Sequence, residues 1–157
     1  MTLEEKRKEL LLQDLCCRLP YGVKIKIRSN DIRTVKSVNI ANGVVSFLET
    51  DTISPFGLHI ENPLTFKQQV KPYLRPLSAI TEEEKNELKE NGIKLDVCSD
   101  SKYIAYQWHG SVWEQDPLEN EDINFLYHWF YKHFFDINGL IPEGLAIKAP
   151  IDMYKFE

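Results

Sequence analysis

The sequence predicts an α+β protein with an N-terminal helix, a mostly antiparallel small sheet or partly closed barrel, and a smaller lobe. That lobe has a short surface helix and an aromatic-rich helix. Three observations lead to this prediction. The first residues repeat apolar side chains at helical spacing, residues 23–28 alternate apolar and basic side chains, and seven of the eleven residues in 125–135 are aromatic.

The first helix is marked at both ends. Thr2 followed by Glu5 has the spacing of a capping box, and Pro20 cannot continue a helix. Between them the apolar residues recur every three or four positions, so that they share one face of a helix of about 16 residues. These residues are Leu11, Leu12, Leu15, Cys16 and Leu19.

The next segments have the period of β-strands. In residues 23–28 a strand would point Val23, Ile25 and Ile27 inward and the basic residues outward. A second strand over 32–40 and a third over 44–49 flank Asn42-Gly43, a pair that favours a tight hairpin. Further short strands are predicted at 58–60 and 64–70. The prolines in 71–77 indicate an extended or turning connector to the second half.

The second half predicts two helices and more strands. Thr81 with Glu84 repeats the capping-box spacing and begins a surface helix over about 82–91, whose one strong apolar residue is Leu88. Alternation predicts strands over 93–97 and 103–108. A last short strand is predicted over 145–148.

The aromatic-rich helix is predicted to begin with Asp116 as its cap and Pro117 in its first position. Its apolar stripe runs along one face, which is expected to form the core of this lobe. The stripe consists of Ile123, Leu126, Tyr127, Phe130 and Phe134. Trp129, Tyr131 and Phe135 lie outside it and need a second surface, which another part of the chain or a partner protein would supply.

Charge separates the two halves of one 157-residue domain. Residues 1–78 hold 12 Lys+Arg against 8 Asp+Glu, a net of +4, whereas residues 79–157 hold 7 against 16, a net of -9. We therefore predict a basic lobe and an acidic lobe with these bounds. The total of -5 excludes a chain that is basic throughout, as many nucleic-acid-binding proteins are.

The location predicted for the chain is the cytoplasm. The first ten residues, MTLEEKRKEL, have charges where the apolar segment of a signal peptide would lie, and no apolar run is long enough to span a membrane. The three cysteines, an odd number with Cys16 and Cys17 adjacent, are expected to be reduced thiols.

One candidate ligand site is a basic strip. Lys24, Lys26 and Arg28 would project from one face of a strand and could hold phosphate groups, while Tyr73 and Arg75 could grip a planar or anionic ligand. A solvated sheet face, with the arginine stem packed on a ring, is the alternative interpretation.

Catalytic and metal sites have little support in the sequence. His128 and His133 are five positions apart, about 140° around a helix, so no metal or cofactor is predicted. Nucleophile elbows, phosphate-binding glycine loops and zinc-protease motifs are all missing from the sequence, so an enzyme is not expected. A small enzyme with an unfamiliar site at His128, His133 or Asp136 stays as a further alternative.

Three stretches carry a resemblance to a known group of proteins. They are LLLQDLCCRLPYGVKIKI (10–27), VKPYLRPLSAITEEEKNEL (70–88) and YHWFYKHFFDINGLIPEGLAIKAPIDMY (127–154). In this order they resemble a family of small uncharacterised proteins from phages, prophages and mobile elements of gut Bacteroidetes. The resemblance implies a bacterial cytoplasm and a mobile-element gene, and it carries no activity.

These observations favour a non-enzymatic accessory protein that binds a host or phage protein, with Trp129, Tyr131 and Phe135 as candidate contact residues. Such a protein would leave an aromatic surface open on the monomer or close it in a homodimer. The alternative is a nucleotide or nucleic-acid binding protein that uses the basic strand face.

Overall fold

A computed structural model describes residues 1–27, 31–39, 43–49, 52–53, 58–59, 70–115 and 118–154 of the chain. The described residues form helices and two sheets, so the predicted α+β class is confirmed. The helices are α1 Leu3–Arg18, α2 Glu82–Glu90 and α3 Asn120–Lys132. The strands are β1 Lys24–Ile27, β2 Ile32–Asn39, β3 Val44–Glu49, β4 Thr52–Ile53, β5 Leu58–His59, β6 Val70–Leu74, β7 Ile93–Val97, β8 Tyr103–Trp108, β9 Trp113–Glu114 and β10 Ile147–Lys148.

The chain divides into two compact units. The first unit comprises Met1–Leu74 and Leu140–Glu157, and the second unit comprises Arg75–Gly139. The tail thus belongs with the amino-terminal part, whereas the sequence placed it in the second lobe. With these bounds the first unit holds 13 Lys+Arg and 11 Asp+Glu, a net of +2, and the second holds 6 and 13, a net of -7.

The helix α1 begins and ends where the sequence predicts. The Thr2 hydroxyl accepts a hydrogen bond from the Glu5 N–H, and the Glu5 carboxylate accepts one from the Thr2 N–H, so the capping box is confirmed. After Arg18 the chain makes one tight turn through Leu19–Tyr21, and Gly22 ends it with φ of 75°. That left-handed conformation suits glycine, and it redirects the chain into β1.

The first unit contains an open sheet with the order β10-β6-β1-β2-β3-β4, and β5 also pairs with β3. All pairings in it are antiparallel except that of β10 with β6, which is parallel. Across the described residues the sheet does not close, so of the two predicted forms the small sheet is the one observed. The alternation of β1 places Val23 and Ile25 in the interior at 0% exposure, and Lys24 and Lys26 are half-buried on the other face.

The first part of the segment predicted as a connector is a strand. Val70–Leu74 lies between β1 and β10, although Pro72 has no N–H to donate to a neighbouring strand. Among the described pairings, β10 reaches only Tyr73 and Leu74, so its ladder needs no donor at Pro72. Beyond Pro72 the Tyr154 hydroxyl donates to the Tyr73 carbonyl at 2.7 Å and accepts from the Lys24 N–H at 3.0 Å. A tail side chain thereby bridges β1 and β6.

The second unit packs α2 and α3 against a three-stranded antiparallel sheet with the order β7-β8-β9. The predicted capping box at Thr81 and Glu84 is confirmed, and Leu88 of α2 is fully buried. The core of this unit is a single cluster of apolar side chains. It contains Leu77, Leu88, Ile93, Leu95, Leu126, Trp129, Phe130 and Phe135.

The helix α3 is shorter than the sequence predicts. It begins at Asn120 with Glu119 as its cap, and the predicted start at 116–117 lies outside the described residues. It ends at Lys132, so the expected continuation of the apolar stripe to Phe134 was wrong. Phe134 has φ of 61°, a left-handed turn that no helix continues through. Tyr127, also assigned to the stripe, is 44% exposed.

An ion pair lies inside the first unit. Asp14 and Arg18 are one helical turn apart in α1, and their side chains are 0% exposed. The guanidinium donates to both carboxylate oxygens, at 2.7 and 3.0 Å. Such a pair satisfies two charges that would be costly to bury separately.

We predict that Asp14→Ala destabilises the chain by about 3 to 5 kcal/mol, because it leaves the Arg18 charge buried without its carboxylate. Urea denaturation followed by circular dichroism measures this loss. The control is Glu143→Ala, which breaks the exposed Arg7–Glu143 pair of the same unit and should cost less than about 1 kcal/mol. Equal losses of stability in the two variants would contradict a stabilising role for the buried pair of Asp14 and Arg18.

Candidate functional site

A carboxylate joins three segments of the second unit. Glu84, in the first turn of α2, accepts hydrogen bonds from both terminal nitrogens of Arg75, at 2.7 and 2.9 Å. It also accepts the Thr81 N–H at 3.1 Å, and Nδ1 of His133 lies 3.1 Å from Oε2. Arg75 in turn donates to the carbonyls of His133 and Ala79. The beginning of the unit, the start of α2 and the end of α3 therefore meet at Glu84.

The environment of Glu84 keeps it ionised. Burial by itself raises the pKa of this carboxyl, but the hydrogen bonds from Arg75, His133 and the Thr81 backbone outweigh burial and hold the pKa well below its ordinary value of 4.5. A carboxylate with so low a pKa and so many donors is a poor proton acceptor or donor near neutral pH. The cluster therefore has the properties of a structural clamp.

Aromatic rings surround this clamp. The Arg75 guanidinium lies over the Phe135 ring at 4.2 Å, and Trp129 stacks on His133 at 4.2 Å and on Phe135 at 5.7 Å. Trp129 is 4% exposed and Phe135 is 0% exposed, whereas Tyr131 is half-buried. The sequence predicts that three rings need a second surface to cover them. Two of these, Trp129 and Phe135, are covered by the core of their own unit.

Besides the exposed Phe125 and Tyr127 of α3, the second unit has aromatic residues at the surface of its sheet. Trp108 at the end of β8 is 46% exposed and contacts Trp113 of β9, with 5.1 Å between ring centroids and 58° between ring planes. Strand alternation places Tyr106 on the same side as Trp108, and Lys94 Nζ lies 5.4 Å from the Tyr106 ring. We call Tyr106, Trp108 and Trp113 the aromatic face. Sequence reasoning overlooked it because the aromatics of β8 looked like ordinary strand residues.

The basic strip gains residues from a second strand. Lys26 in β1 stands opposite Lys71 in β6, and Tyr73 lies two residues after Lys71 on the same strand. The outward residues of these strands, Lys24, Lys26, Lys71 and Tyr73, form what we call the basic face. Arg28 lies outside the described residues.

The predicted ligand-site residues therefore separate. Lys24, Lys26 and Tyr73 share one face of the first unit, while Arg75 belongs to the second unit and contacts Glu84. Lys71 was missed because the sequence does not reveal which strand pairs with β1. The Lys24 ammonium donates a hydrogen bond to the Met153 carbonyl at 3.2 Å, so one of its N–H donors is already occupied.

The residues of the enzyme alternative differ in exposure. His133 and Asp136 are buried, whereas His128 is exposed on α3. Within the described ranges, no three side chains of His, Cys, Asp or Glu are grouped as a metal site requires. Burial and the neighbouring Cys17 raise the pKa of Cys16, which makes this free thiol a weak nucleophile. None of the helices in the described parts has the length and apolar character needed to cross a membrane.

Comparisons of the chain with models of protein families, with curated proteins and with solved structures give no match. The resemblance to proteins of mobile elements therefore stays a prediction.

We predict that the stability contributed by Glu84 is present at pH values above 4.5 and is lost as the pH falls below it. In that acidic range the unfolded carboxyl binds protons that the folded one does not, so acid favours unfolding. Glu84→Gln should cost about 3 to 5 kcal/mol near neutral pH and flatten the acid part of the profile. Urea denaturation at several pH values measures both effects.

The control for this experiment is Glu83→Gln, which removes a charge from the exposed side of the same helical turn. It should leave both the stability and the acid profile nearly unchanged. An acid profile for Glu84→Gln that coincides with that of the unmodified chain would contradict the clamp.

The pair formed by Trp108 and Trp113 gives a spectroscopic prediction. Two indole rings this close and tilted couple their transitions, so the far-ultraviolet circular dichroism spectrum should contain an exciton couplet. Trp108→Phe and Trp113→Phe should each remove the couplet. Trp129→Phe should retain it, because the ring neighbours of Trp129 are His133, Phe130 and Phe135. A couplet that survives Trp108→Phe would contradict the pairing.

Proposed function

We propose that the chain is a non-enzymatic binding protein whose aromatic face docks a partner protein. The observation that carries this proposal is the pair of neighbouring, tilted indole rings on the outward side of the β7-β8-β9 sheet, formed by the exposed Trp108 and the half-buried Trp113. The other side of that sheet buries the core of the second unit, so the pair is not required for packing there.

An aromatic cluster on an open sheet face has a physical cost. The outward side of an antiparallel sheet is ordinarily polar, because apolar area left in water gains nothing for folding. Trp and Tyr on a surface supply large, rigid contact areas, and they are the residues that contribute most at protein interfaces. Docking of a partner removes the exposed area of Trp108 and Val112, which are 46% and 48% exposed.

Charge indicates the chemistry of the partner. Asp96 is exposed on the same face of the sheet as Tyr106 and Trp108, and the second unit has a net charge of -7. Lys94 over Tyr106 shows that this face accommodates an ammonium group against a ring. A protein surface that presents Lys or Arg together with apolar side chains fits both features.

The resemblance to mobile-element proteins supports a more specific form of this proposal, which names the kind of partner and its compartment. The partner is a host or phage protein in a bacterial cytoplasm, and the chain acts on it as an accessory factor.

The test starts from tagged chain cross-linked in an extract of gut Bacteroidetes cells. Proteins recovered with the unmodified chain are compared by quantitative mass spectrometry with those recovered by Trp108→Ala and Phe125→Ala. Phe125 is the matched control, since it is an aromatic residue of the second unit that is 37% exposed on α3. A candidate lost only with Trp108→Ala is purified, and its affinity is measured by calorimetry.

We expect Trp108→Ala to weaken that purified complex about 30-fold, the effect of an interface residue worth about 2 kcal/mol, and Phe125→Ala to leave it unchanged. Affinity should fall as salt rises, because the partner is basic. Recovery that does not depend on Trp108 would refute the proposal. A homodimer in light scattering that Trp108→Ala dissociates would also refute it, because the occupant would then be a second copy.

A further inference from the structure

The basic face contains two lysines that repel each other. Lys26 and Lys71 occupy directly opposite positions of the antiparallel strands β1 and β6. Opposite residues on one face have neighbouring side chains, and like charges placed there destabilise the sheet. Both lysines are half-buried, which reduces the screening of this repulsion by water.

Lysines without a carboxylate partner are common among the described residues, and Lys26 and Lys71 are two of them. Most of the arginines and one lysine are paired with a carboxylate, whereas no described residue offers an acceptor to the ammonium group of Lys26 or Lys71. The paired groups are Arg7 with Glu143, Arg18 with Asp14, Arg33 with Asp31, Arg75 with Glu84, and Lys85 with Glu82. A negatively charged ligand would offset the repulsion between the two lysines.

An aromatic ring completes the face. Tyr73 lies two residues after Lys71 in β6 and therefore projects to the same side of the sheet. It is half-buried, which leaves part of its side chain open to solvent. Positive charge beside an aromatic ring on a sheet surface is the combination on which single-stranded nucleic acids bind, with phosphates on the lysines and bases stacked on the ring.

We propose that the outward face of β1 and β6 binds single-stranded nucleic acid. Lys26 and Lys71 contact backbone phosphates, Lys24 adds charge at the end of the face, and Tyr73 stacks on a base. A duplex fits this face less well, because its bases are already stacked on each other. This site is independent of the aromatic face, which belongs to the other unit.

The experiment measures the fluorescence anisotropy of labelled oligothymidylate and oligouridylate, single-stranded, and of a duplex of the same length. The unmodified full chain is titrated at several salt concentrations and is compared with Lys26→Glu, Tyr73→Ala and Tyr73→Phe. The control is Lys6→Glu, which makes the same change in net charge at an exposed position of α1, outside the sheet.

We expect Tyr73→Ala to weaken single-strand binding by about 5- to 150-fold, as loss of one stacked base does, and Tyr73→Phe to retain it. Lys26→Glu should abolish binding at moderate salt, whereas loss of a lysine contact lowers the salt slope by about 0.7 for each phosphate. The same variant should raise the melting temperature, because a carboxylate placed opposite Lys71 replaces repulsion with attraction. A gain in stability together with a loss of binding separates a ligand site from a structural role.

Three results would overturn the proposal. The first is the lack of oligonucleotide binding by the unmodified chain at low salt. The second is an equal loss of affinity in Lys6→Glu and Lys26→Glu, which would show general attraction to a polyanion. The third is a single-strand affinity that Tyr73→Ala leaves unchanged, together with an equal affinity of the unmodified chain for the duplex or for anionic lipid vesicles.

Discussion

The carboxylate of Glu84 is the interaction on which the second unit depends. It receives two hydrogen bonds from Arg75 and one from the Thr81 backbone, and it lies against His133, so the segment before α2 and the distant end of α3 converge on one group. The pair of Arg75 and Glu84 is bidentate and mostly buried. Each charge therefore stabilises the other at a place that water does not solvate well. The rings of Phe135 and Trp129 close over this arrangement, and the left-handed turn at Phe134 brings Phe135 into position.

The aromatic residues of the second unit differ in their surroundings. Trp129, Phe130 and Phe135 have neighbours inside the unit, so they contribute to folding rather than to recognition. Trp108 and Trp113 have each other and solvent. Folding of the unit does not explain this pair of indole rings on the sheet, and this is the reason for proposing that the aromatic face recognises a protein.

The two units have net charges of opposite sign, so the aromatic face and the basic face favour ligands of opposite charge. The second unit, with a net of -7, favours a basic partner, while the first unit, with a net of +2, gathers lysines on β1 and β6. The buried pair of Asp14 and Arg18 and the hydroxyl of Tyr154 hold the first unit together from the side of α1 and the tail. Among the described residues, Lys26 and Lys71 of the basic face have no carboxylate partner.

The sequence by itself determined the local elements, because caps and periodicity act over a few residues: Thr2 and Glu5 define the start of α1, and alternation defines β1, β7 and β8. It also predicted a ligand site of Lys24, Lys26, Arg28, Tyr73 and Arg75, of which the structure places Lys24, Lys26 and Tyr73 on one face of the first unit. Only the tertiary structure decided that Lys71 faces Lys26, that the tail returns to the first unit and that Trp129 is buried while Trp108 is exposed. Strand pairing and helix burial depend on contacts between residues far apart in the chain, which no local pattern encodes.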